Sequence, residues 1–198
     1  MTLPLGDLRM QSSSRMLIWL MFAWIPHTLY AKVFTSVRMG AGPTLLKGPL
    51  ADAQTSSQHA TVRFGTWRPT SFLIGGIDLT SFRWNTPLAL DLKHEVSGND
   101  LRLFVGAQWN MFNLWLASGG GQLRVLDRPS PDEARPHRFI SKSQELGISY
   151  DIYRAEYAKI EVCALYRETD PEKTWQQSYN LRKIETWQLD LGLKLLDF

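Results

Sequence analysis

The sequence predicts an all-β chain, an eight-stranded antiparallel up-and-down β-barrel preceded by a signal peptide and a flexible linker. Three observations predict it. In the last stretch, Glu185 to Phe198, Trp187, Leu189, Leu191, Leu193 and Leu195 fall on one side of an extended strand, and Thr186, Gln188, Asp190, Gly192 and Lys194 fall on the other. From Ala60 onward the same period of two recurs in short runs separated by turn residues. The runs also come to an even number, as a single-chain barrel requires.

Composition sets the bounds. A chain of 198 residues makes one domain, large enough for a packed core or a small barrel. Hydrophobic residues make up 44% and charged residues 21%, and the mean hydropathy of −0.21 excludes a bundle of membrane-spanning helices. A transmembrane barrel has the same bland average, because every strand is half polar. The net charge of +3 comes from basic residues scattered singly, which argues against a nucleic-acid partner. One cysteine, Cys163, excludes an intrachain disulfide.

Residues 1–31 read as a signal peptide. Met16–Pro26 is an uninterrupted apolar run of h-region length, too short for a transmembrane helix of about 20 residues. Arg9 and Arg15 precede it, and Leu29-Tyr30-Ala31 ends on a small residue suited to cleavage. Translation starts at Met1 or at Met10, and the mature chain is expected to begin near Lys32. Residues 32–59 hold Gly40, Gly42, Pro43, Gly48 and Pro49, then Gln54-Thr-Ser-Ser-Gln58, and read as a flexible linker. The barrel domain is then 60–198.

The strands follow in order. Thr61–Trp67 is the first and Ser71–Trp84 the second, ended by Asn85-Thr-Pro87. Leu88–Val96 is the third, ended by the turn Ser97-Gly-Asn-Asp100. Leu101 opens the fourth, whose parity flips beyond Met111 and suggests a bulge before Gly119-Gly-Gly121. Gln122–Asp127 is a short fifth, followed by a Pro-containing loop from Arg128 to Ser143. In the sixth, Leu146, Ile148, Tyr150 and Ile152 alternate with polar residues, and in the seventh Ala158, Ile160, Val162, Ala164 and Tyr166 do so. A polar loop from Glu168 to Lys183 leads to the closing strand. Leu146, Tyr150, Tyr153, Tyr157, Ile160 and Ala164 also fit a helical stripe, but alternation accounts for more of the apolar residues, and Ile, Tyr and Val favour strands.

A final strand apolar on one face, polar on the other and ending at a C-terminal Phe198 resembles the closing strand of small Gram-negative outer-membrane β-barrel proteins. That resemblance implies an outer-membrane protein with a structural or surface-interaction role. Its partners would be outer-membrane lipid and the barrel insertion machinery, which reads Trp187, Leu189, Leu191, Leu193, Leu195 and Phe198; the surface partner stays unknown. With the last end in the periplasm, Asn85–Pro87, Gly119–Gly121 and Tyr153-Arg154 become short periplasmic turns, and the two long loops point outward. Trp84, Trp115, Tyr153 and Tyr157 would mark the periplasmic rim, and Trp67, Tyr166 and Trp187 the outer one.

Arg63, Asp91, Arg102, Gln108, Lys159, Glu161, Gln188, Asp190 and Lys194 lie on the polar strand faces. Eight strands leave an interior only wide enough for side chains to fill, so these residues are expected to pair across a plugged lumen. In a soluble barrel the same residues would face water. Gly65-Thr66-Trp67 resembles the lipocalin signature, which implies the alternative of a soluble periplasmic or secreted barrel around a small hydrophobic ligand. His94 and Ser97 resemble the His and Ser of outer-membrane phospholipases and lipid A deacylases, a third reading as a lipid-modifying barrel. They are three residues apart, which puts them on opposite faces of a strand unless a turn rotates Ser97 back. No cofactor-binding motif, metal cluster or catalytic constellation stands out, so the chain is expected not to be an enzyme.

Overall fold

The computed structural model describes residues 31–48, 52–67, 72–89, 92–127, 135–179 and 182–196. Positions 1–30, Asp91 and Phe198 therefore lie outside the described residues, and with them nearly all of the expected signal peptide. The described chain forms strands β1 (Lys32–Lys47), β2 (Asp52–Trp67), β3 (Leu73–Ala89), β4 (Leu92–Trp109), β5 (Phe112–Asp127), β6 (Arg135–Arg154), β7 (Ala158–Pro171) and β8 (Lys183–Leu196). A short helix, α1 (Lys173–Tyr179), lies between β7 and β8. Each strand pairs antiparallel with its sequence neighbours and β8 returns to β1, so the barrel is closed and up-and-down. Closure leaves no unpaired sheet edge, the condition a sheet must meet in lipid.

The expected barrel is present, but several expected boundaries move. The segment expected as a linker forms β1 and the first half of β2. The seam of the barrel is therefore β8 against β1, from Phe34 opposite Leu196 to Lys47 opposite Lys183. It is not β8 against Thr61–Trp67, which pairs with the other edge of β1. The alternation of β1 has its polar residues inside: Ser36, Arg38 and Thr44 are buried, together with Phe34, while Val33, Val37 and Met39 are exposed.

Ser97–Asp100 lies in the middle of β4 and Gly119–Gly121 in the middle of β5. The parity flip near Met111 is a tight turn at Asn110-Met111, not a bulge. Asn110 adopts a positive φ of 55°, a conformation Asn tolerates. The expected count of eight strands survives because the missed β1 is offset by β4 and β5 having been read as three pieces. The polar loop after Glu168 is shorter than expected: β7 continues to Pro171, and α1 fills much of the remainder.

Three glycines, on β2, β4 and β6, mark crowding inside the barrel. Gly65 is paired with Phe34, Gly98 with Phe82 and Gly147 with Trp115. At each, a Cβ would run into the aromatic ring opposite. An aromatic side chain thus covers a glycine across the strands, which pins register and fills the narrow interior. Trp84 and Trp115 are consequently lumen residues, 4% and 2% exposed, and not rim residues.

Candidate functional site

The outward face of the barrel is apolar. One register row, Met39–Leu191–Val162–Tyr150–Phe112, crosses β1, β8, β7, β6 and β5. Every member is at least 40% exposed. Leu189, Ile148 and Leu114 belong to the adjacent row and are exposed as well. Aromatic pairs bound this band: Tyr166 and Trp187 at 4.6 Å on one side, Phe112 and Tyr150 at 4.9 Å on the other. Exposed Trp109, Tyr153 and Tyr157 lie near the turns at the latter end. Soluble monomers rarely expose a contiguous apolar patch beyond a few hundred Å². A band around the wall, edged by aromatics, is the surface of a protein that spans a bilayer.

The inward face is the reverse. Among the described residues, the buried charges are Arg38, Arg63, Arg102, Lys159, Arg167 and Lys194 against Asp78, Asp100, Glu145, Asp151, Glu161 and Asp190. The signs balance, so the lumen can be closed by pairing.

Glu145 on β6 is the hub. It accepts from Arg102 at 2.5 Å, from Arg167 at 2.9 Å and from the Trp115 indole at 3.0 Å, and Arg38 lies 3.8 Å away. Arg38 also reaches Asp78 at 3.5 Å, and Asp78 holds Arg63 through two bonds of 2.6 Å each. Arg102 donates further to Thr80, which shares a bond with Thr61. The Arg63 guanidinium lies over Phe104 at 4.0 Å and Trp115 at 4.4 Å, so ring faces cover what the carboxylates leave.

Smaller groups extend this network. His59 meets Asp190 at 2.8 Å. Glu161 takes Ser36 at 3.1 Å and Ser149 at 2.9 Å, Asp151 pairs with Lys159 at 3.3 Å, and Gln188 donates to Ser57 at 3.0 Å. These buried side chains lie across the interior of an eight-strand barrel, a space only about wide enough for side chains to fill.

Apolar clusters flank the polar layer. At the end holding Lys32 and Leu196, Phe34, Ile74, Phe104, Trp115, Ala117 and Cys163 pack together, with Trp67 and Leu196 against them. At the opposite end Leu46, Phe82, Trp84, Val96, Leu123, Val125 and Ile184 enclose Trp175 of α1, which is fully buried and meets Phe139 edge-on at 5.1 Å. The helix thus delivers one indole into that mouth as a stopper. Beyond the Trp187 girdle, Lys47 sits 2.7 Å from Glu185 across the seam and holds its carboxyl below the usual range.

Of the lumen residues expected from sequence, Arg63, Arg102, Lys159, Glu161, Gln188, Asp190 and Lys194 are inward and buried, Gln108 is half-buried, and Asp91 lies outside the described residues. Trp187, Leu189, Leu191, Leu193 and Leu195 face outward. Tyr166, Trp187, Tyr153 and Tyr157 lie on the wall as expected, but Trp67 packs at the end opposite to the one assigned. Sequence reading missed Glu145, Arg38 and Asp78, the members that tie the network together. Asp78 carried a signal: it is the one acid of β3, set between the apolar residues Ile77 and Leu79.

The alternative barrels fare differently. A lipocalin-like barrel keeps an apolar interior and a polar wall, whereas this molecule has an apolar wall and a layer of buried charges across its interior. Ser97 lies within the continuous strand β4, so no turn brings it to the face of position 94. Among the described residues no group of His, Cys, Asp and Glu could hold a metal ion.

No protein-family model matches the chain, and no curated protein sequence does. Solved structures do. Neisserial surface protein A superposes with a TM-score of 0.57 at 13% identity, covering 85% of this chain and 99% of that one. Ail, the attachment invasion locus protein of Yersinia pestis, solved with the heparin analogue sucrose octasulfate, superposes with a TM-score of 0.57 at 11% identity, covering 82% of this chain and 99% of its own. At such identities the likeness is one of fold: the chain has the architecture of small Gram-negative outer-membrane barrels over nearly their whole length.

Proposed function

We infer that the protein is a small outer-membrane β-barrel with a structural or surface-interaction role, and neither a pore nor an enzyme. The observation that carries this reading is the reversed polarity of the barrel: a belt of exposed Leu, Val, Met and aromatic side chains around an interior sealed by the Glu145 network. Such a wall favours lipid, and such an interior has no path for solute. With both described ends of the chain placed at the periplasmic side, the connections after β1, β3, β5 and β7 lie at the cell surface. Trp175 then stoppers the outward mouth. Any partner would be met on the outside of the molecule, on the strand ends and connections beyond the girdle. Insertion by the barrel assembly machinery, read from β8, belongs to the same proposal.

Planar-bilayer conductance tests the reading. The folded protein should insert, recognised by slower gel migration unheated than heated or the reverse, and add no stable conductance steps. Regular single-channel steps from the wild-type protein would overturn the sealed-lumen reading.

A further inference from the structure

We propose that the half of the lumen beneath Trp175 binds water at two seats, one between Asp100 and Ser141 and one between Trp84 and Gln188. The proposal rests on the barrel interior alone and goes beyond the surface role above.

Asp100 is the buried carboxylate next to the Glu145 network that the network does not use. It is 3% exposed, yet among the described residues neither of its oxygens meets a hydrogen-bond donor. A buried carboxylate left this way carries the full penalty of losing its hydration. Register sets its surroundings. Asp100 on β4 is opposite Gly121 on β5, and Gly121 is opposite Ser141 on β6. The next inward row runs from Arg102 through Gly119 to Ser143. The two glycines leave the floor between β4 and β6 bare. The carboxylate leans over the first, with Oδ1 2.6 Å from the point a Cβ on Gly121 would take. Beyond that gap stand the buried Ser141 and Ser143 hydroxyls, which have no partner either, and Nε of Arg102 is a donor in the same position. Adjacent strands lie about 4.8 Å apart, and two hydrogen bonds of about 2.8 Å meeting at one water oxygen span such a gap.

The second seat is a cavity of about 10 Å³ lined by Ser57, Trp84, Arg167, Thr169, Thr186 and Gln188, among others. The Trp84 indole N–H is a buried donor without a partner, and Gln188 Oε1 is a buried acceptor without one. A single water needs about that volume and two to four polar neighbours, and the lining supplies both.

Charge selects water over a cation. Among the described residues the buried cationic and anionic side chains balance only with Asp100 counted as an anion. A metal ion at Asp100 would add an uncompensated positive charge close to Arg102. Water adds none, and it can donate to the carboxylate while accepting from the guanidinium or the indole. Trp175 decides how long that water stays. Its indole is fully buried among Leu46, Val96, Leu123 and Val125 at the mouth, and the Glu145 layer closes the other side. Exchange with bulk solvent therefore waits on movement of the indole.

The test is oxygen-17 relaxation dispersion on the full-length protein in detergent micelles, which counts waters held longer than the complex takes to tumble. Wild type should hold about two such waters or more. Asp100→Leu with Ser141→Ala should lower the count at the first seat, and Gln188→Leu should lower it at the second, in chains whose folding is checked by the gel shift on heating. Trp175→Ala should shorten the residence time several-fold. A bound-water cross-peak to the Trp84 indole proton checks the second seat in wild type, without any substitution. Absence of long-lived water from wild type, absence of that cross-peak, or a count that no folded variant lowers would overturn the proposal. So would a melting temperature that sodium or calcium chloride raises over choline chloride in wild type and not in Asp100→Asn, because a cation would then occupy the first seat.

Discussion

Glu145 and Arg102 face each other across the barrel interior at 2.5 Å, from strands that are not neighbours, and both side chains are fully buried. Such a pair is costly to desolvate and costlier to break. Glu145→Ala would leave Arg102, Arg167 and Arg38 without their common carboxylate. The expected loss is about 3–5 kcal/mol of stability, read from urea unfolding in lipid vesicles. Glu145→Ala combined with Arg102→Met should be less harmful than the sum of its parts, because one orphaned charge goes with its partner.

The same hub shows what the sequence could and could not reveal. The closing strand was legible because β8 faces lipid on one side and charge on the other, so its alternation is uninterrupted from Trp187 to Leu195. β1 was not legible because Gly40, Gly42 and Pro43 look like breakers. In the fold, Gly40 leaves room for the Asp190 carboxylate and Gly42 for the backbone at Trp187. Pro43 falls in a gap of the β1–β8 ladder, between Ala41 opposite Leu189 and Thr44 opposite Thr186, where its missing N–H does no harm. Ser97–Asp100 and Gly119–Gly121 misled in the same way: glycine marks a turn in a soluble protein and a hole for a ring or a side chain in a narrow barrel. Glu145 could not be assigned as a hub at all, since its partners come from β1, β4 and β7 and meet only once the barrel closes.

The aromatic-on-glycine pairs make a second prediction. Gly147→Ala places a Cβ inside the Trp115 ring, so Trp115 must shift and its bond to Glu145 with it. The cost should be about 1–3 kcal/mol in lipid-refolding measurements. Trp115→Leu should relieve the clash, so the double variant should be more stable than the two single losses together imply.

Trp175 supplies a third. Trp175→Ala removes the indole from a pocket made by Leu46, Val96, Leu123, Val125 and Ile184. Limited proteolysis should then cut the β7–β8 connection several-fold faster, while the barrel itself stays protected. Bilayer conductance should stay closed, because the Glu145 layer beneath is untouched. Stable conductance from Trp175→Ala alone would mean that the stopper, and not the charge network, seals the lumen.

The wall makes a fourth. Leu191 lies in the middle of the outward row of β8, between Met39 and Val162. Leu191→Arg should cost about 2–4 kcal/mol when the chain folds into a bilayer, the penalty for a cation near the midplane. Lys47→Arg, beyond the girdle, should be nearly neutral.

The reversed polarity of the barrel is tested most directly by spin-label accessibility along β8 in lipid vesicles. Cys163 is replaced by Ser, and single cysteines at positions 188 to 193 are labelled in turn. Collision with oxygen, which concentrates in the bilayer, should rise at 189, 191 and 193 and fall at 188, 190 and 192, and a water-soluble nickel chelate should reach none of them. Strong collision with the nickel chelate at 189, 191 and 193 would mean that this face meets water, and would contradict a membrane-spanning barrel.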